Sequence, residues 1–127
     1  MKIANDSLTV AKVESPFDMA SSFVTDEFYL GHIAYFSIQA FFTGSPTGNF
    51  TLEASNDKGV EDRTIGGWDA RGVSNWTTVA DSAFPIAAAG DVMWDVQNVG
   101  YRWVRVRWTW TSGSGSVTSI RANAKGI

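Results

Sequence analysis

Residues 101–110, YRWVRVRWTW, change character at every step. A period of two puts Val104, Val106, Trp108 and Trp110 on one side and Tyr101, Trp103, Arg105, Arg107 and Thr109 on the other, the geometry of an extended strand. Aromatic and β-branched residues suit a pleated surface, so the first side is expected on a core. The second, carrying Arg and Trp, would cover the sheet or meet a partner.

The rest of the chain reads the same way. No long 3.6-residue period appears, and 12 glycines punctuate short apolar runs, so an all-β fold is the economical expectation. Strands are predicted at residues 7–13, 28–30, 33–42, 49–55, 76–80, 84–87, 91–96, 101–110 and 116–124. In the strand at 33–42 the inward set is Ala34, Phe36, Ile38, Ala40 and Phe42. In the strand at 49–55 it is Phe50, Leu52 and Ala54. TGSPTG between them has the Pro and Gly of a turn, which predicts a hairpin. A second hairpin is expected through Gln97, Asn98, Val99 and Gly100. A third is expected through TSGSGS, whose place between two alternating segments argues against a flexible linker. Many short strands at this spacing predict a two-sheet sandwich with jelly-roll-like connections.

At 127 residues the chain can bury about two thirds of its unfolded surface in one core, and 6 Trp and 8 Phe supply large side chains for it. One domain over residues 15–127 is expected, with residues 1–14 as an N-terminal arm or first strand and 58–74 as a long inserted loop. Cysteine is absent, which removes disulfides, thiolate nucleophiles and Cys-ligated metals. MKIANDSLTV has no apolar core of a signal peptide, and no run approaches the roughly 18 apolar residues of a membrane span. Synthesis in the cytoplasm and no membrane partner are therefore expected. The net charge of -3 gives no reason to expect nucleic acid, although Arg102, Arg105, Arg107 and Arg121 concentrate positive charge late in the chain.

Catalytic groupings are missing. His32 is the only histidine and is read as structural or solvated. No nucleophile elbow, phosphate loop or metalloprotease motif is present. Glu53 and Asp95 alternate with apolar neighbours as solvent-facing charges do, so they are not read as a glycosidase pair. Asn56, Asp57, Glu61, Asp62 and Asp69 could offer oxygens to calcium, but their spacing fits no defined calcium loop, and such residues also favour turns. No enzyme activity and no cofactor are expected. The candidate interface comprises Trp68, Asp69 and Arg71 in the long loop and Trp103, Arg105 and Arg107 on the strand face. Trp and Arg concentrate at interface centres, and aromatic faces with planar donors suit protein or sugar. The plainer reading pairs the two arginines across strands with Glu or Asp, and tucks Trp68 over a sandwich edge.

GNFTLEASND, then NWTTV, then YRWVRV, then TSGSGS and a closing NAKG resemble a group of small tailed-phage virion structural proteins. The resemblance spans roughly residues 33–127. It implies a jelly-roll-like sandwich on the virion, a capsid decoration or cement protein that binds the major capsid protein as a homotrimer and leaves its cell by lysis. The chain departs from that pattern by inserting residues 58–74. The SND…NWTTV signature and VRV strand are also similar to discoidin-type binding sandwiches, which implies instead a carbohydrate-binding module of a phage tail, fibre or head surface. Its surface glycan would then meet Trp68 and Arg71. The bracketing cysteines of secreted relatives are absent here.

Overall fold

The computed structural model describes residues 7–11, 17–31, 33–62 and 67–125, with side chains described from 17 onward except 61, 62 and 67–69; His32 lies outside the described residues. The described chain is all β: β1 (Ser7–Ala11), β2 (Phe17–Asp18), β3 (Phe23–Val24), β4 (Phe28–Tyr29), β5 (Tyr35–Gly44), β6 (Thr47–Ser55), β7 (Val60–Asp62), β8 (Gly67–Asp69), β9 (Thr77–Thr78), β10 (Phe84–Ile86), β11 (Gly90–Gln97), β12 (Trp103–Ser112) and β13 (Gly115–Lys125).

Two antiparallel sheets form the sandwich. Sheet A runs β1-β13-β5-β11, with β2 beside β13; sheet B runs β10-β6-β12-β3, with β4 beside β12 and β9 beside β6. This order is a rolled ribbon. β1 pairs with β13, β3 and β4 with β12, β5 with β11, and β6 with β10, as in one long antiparallel hairpin. Rolling that ribbon brings β5 against β13 and β6 against β12, which is the jelly-roll arrangement. The ribbon's tip is the stretch between β6 and β10, so the 58–74 insertion occupies that tip. Within it β7 and β8 pair antiparallel, with Val60 opposite Asp69 and Asp62 opposite Gly67.

The three predicted hairpins do not form. β5 and β6, β11 and β12, and β12 and β13 each lie in different sheets, so all three connections cross the sandwich. Between β5 and β6, Pro46 is fully buried and has no N–H for a ladder. Ser45 N–H donates instead to the Ser114 carbonyl at 2.9 Å, in the crossing between β12 and β13. The two crossings are packed backbone to backbone. Gly113 has φ +77°, and a Cβ at Gly115 would collide with the Thr43 carbonyl, so the SGSGS run is set by a close approach of chains.

The core fills from both inner faces: Phe36, Ile38, Ala40 and Phe42 from β5, Phe50 and Leu52 from β6, Val92 and Trp94 from β11, and Val104, Val106 and Trp108 from β12. Phe50 is its hub, with ring centroids 4.8 Å from Trp108, 5.5 Å from Phe42 and 6.0 Å from Trp94. Both core indoles satisfy their N–H: Trp108 donates to the Met19 carbonyl at 3.2 Å and Trp94 to the Ser82 carbonyl at 2.7 Å. On β13 a register shift between Val117 and Ser119 moves the inward parity from Val117 to Ile120, Ala122 and Ala124.

Candidate interaction surface

The outer face of sheet B carries three of the six predicted interface residues, and exposure rises along β12. Trp103 is 2% exposed, the Arg105 side chain 17% and the Arg107 side chain 44%. The expectation that Trp103 joins the two arginines on an open face is therefore corrected. Tyr29 of β4 lies over the indole at 5.0 Å between ring centroids, and the Trp103 Nε1–H donates to the Asp57 carbonyl at 2.9 Å. Trp103 anchors the base of the insertion to the sheet.

Glu53 stands opposite Arg105 in the β6–β12 register. It was expected to be solvent-facing but is buried, and it accepts from Arg105 Nε at 2.8 Å and pairs with Arg107 at 3.5 Å. Trp76 closes the pair from outside, its ring centroid 4.1 Å from the Arg105 guanidinium. A carboxylate held between two arginines beneath an indole is a rigid structural clamp. The cross-strand pairing of both arginines with a carboxylate is as the plainer reading has it, although Glu53 and Arg105 are too covered to form an open solvated surface.

At the insertion, Trp68 and Asp69 belong to β8, and their side chains lie outside the described residues, as do those of Glu61 and Asp62. Arg71 follows and is exposed. The base of the insertion is closed by Asp57, whose carboxylate accepts from Ser74 N–H at 2.8 Å, Asn75 N–H at 3.0 Å and the Asn75 amide at 3.1 Å. The Ser74 backbone bond, then the Asn75 side-chain and backbone bonds, hold that carboxyl below its usual range. Among the described residues no three of His, Asp and Glu converge on a common point.

What stays open on sheet B is the end that begins at Arg107, the outer of the two clamp arginines. Arg107 is opposite Val24, which is 39% exposed, and Trp110, expected on the core, runs past its edge at 42% exposure with its Nε1–H on the Gly113 carbonyl. Tyr29, Asn75 and Trp76 carry no mark of a site in the sequence: Tyr29 and Trp76 meet β12 residues far along the chain, and Asn75 meets Asp57 only where the two ends of the insertion close.

No protein-family model matches the chain, and no curated protein does. Among solved structures, the fold is similar to that of the SPBc2 prophage-derived protein YomS, with a TM-score of 0.51 and 14% identity over 94% of this chain and 92% of that one. A second, described as Bacillus endospore appendages that form a novel family of disulfide-linked pili, covers 100% of this chain and 97% of its own at 12% identity and a TM-score of 0.44. What the first of these shares with the chain is its fold, along almost its full length.

Proposed function

We propose that the chain is a non-enzymatic structural protein of a phage-type particle that decorates the capsid surface, binding the major capsid protein as a homotrimer. The observation that carries this reading is the end-to-end likeness in fold to a prophage-derived protein, on a chain whose motifs resemble virion structural proteins. The open end of sheet B, with Arg107, Val24 and Trp110, has the mix of guanidinium and apolar surface that subunit contacts use. A ligand that binds only the assembled lattice stabilises that lattice by mass action, and three linked contacts multiply a modest single affinity.

Light scattering on the purified chain and co-sedimentation with purified heads test this. A trimer that saturates heads, with binding weakened by Arg107→Glu, is expected. A monomer that stays in the supernatant would overturn it.

A further inference from the structure

The outer face of sheet A holds a groove of about 450 Å³ lined by the outward side chains of two consecutive cross-strand rows. One row is Gln97, Tyr35 and Lys125; the next is Asp95, Ser37 and Asn123. We propose that this groove binds a pyranose oligosaccharide.

The chemistry of the two rows favours such a ligand. Tyr35 is 43% exposed and presents an apolar ring with a phenol at its rim, which matches the C–H face of a sugar ring. Around it converge a carboxylate that accepts from adjacent hydroxyls (Asp95), a carboxamide that both donates and accepts (Gln97) and an ammonium donor (Lys125). None of these four has a polar partner among the described residues. One row pair further on, by contrast, Gln39 Nε2 donates to Asp91 at 3.1 Å, so polar capacity there is spent within the sheet. A concave site with a few convergent polar groups is the usual form of a small-ligand site. A phosphate backbone is disfavoured, because Asp95 would face it and the chain is already net negative. Asp95 and Lys125 also put two charges in the lining, where the centre of a protein interface is depleted of charge.

This inference stands apart from the capsid reading and survives its failure. The test is an NMR titration of the full chain with cellotetraose, maltotetraose and chitotetraose, following backbone amide shifts. At least one sugar is expected to move the amides of residues 35–37, 95–97 and 123–125 while leaving those of Trp76 and Arg105 in place. Tyr35→Ala and Asp95→Asn should each weaken that binding about tenfold with no change in melting temperature, since both side chains are exposed. The proposal is overturned if none of the three sugars shifts the groove amides at millimolar concentration, if the shifts gather at Trp76 and Arg105, or if Tyr35→Ala binds unchanged.

Discussion

Glu53 alternates with Leu52 and Ala54 and so belongs to an outer face, yet only 8% of it is exposed. Alternation assigns a side, and what later covers that side is a separate matter, here Trp76 and two arginines from elsewhere in the chain. Removing the charge strands Arg105 beneath the indole. Glu53→Gln is expected to lower stability by about 1–3 kcal/mol, and a double-mutant cycle with Arg105→Ala should be strongly non-additive; additive losses would contradict the clamp. Tyr101 shows the opposite case. Its hydroxyl is buried with no partner among the described residues, and burial pushes its pKa up. Tyr101→Phe removes an unpaid desolvation and is expected to raise stability by about 1 kcal/mol, read as a higher melting temperature. Asp57 supplies the pH dependence. Its folded carboxyl lies below the ordinary 3.8, so the stabilisation is complete above the unfolded value and lost as pH falls through the folded one. The protection of the Ser74 and Asn75 amides, measured against their intrinsic exchange rates, should hold at neutral pH and be lost only below about pH 4.

Among the elements, the long strands are legible because apolar residues alternate along most of each, even where a bulge in β13 shifts the parity and the outer side of β6 is covered at Glu53. The very short β2 and β3 are not, since two residues show no period. Connections misled for a physical reason. A strand that enters the same sheet and a strand that crosses to the opposite sheet present the same inward pattern, so periodicity cannot separate a hairpin from a crossing. The clue lay in the crossings themselves, where Pro46 cannot join a ladder and Gly115 leaves room for the Thr43 carbonyl. Gly115→Ala puts a methyl group against fixed backbone and is expected to cost about 1–3 kcal/mol, visible as a lower denaturation midpoint; an unchanged midpoint would mean that the crossings are loosely packed.

For the whole molecule, the rolled ribbon fixes where function can lie. It puts the insertion at its tip, the Glu53 clamp on one outer face and the saccharide groove on the other. The proposed capsid role uses one of these faces for the lattice and leaves the other to the medium. The sandwich class followed from alternation and spacing, whereas the outer-face groove did not, because its two rows assemble from three strands spread between Tyr35 and Lys125. The proposed place of this protein is the head surface of a phage particle. Immunogold electron microscopy of particles released by cells that encode the chain, using antibody against the purified protein, tests it most directly. Label spread over the heads is the predicted result; particles that carry none, or label confined to tails, would contradict it.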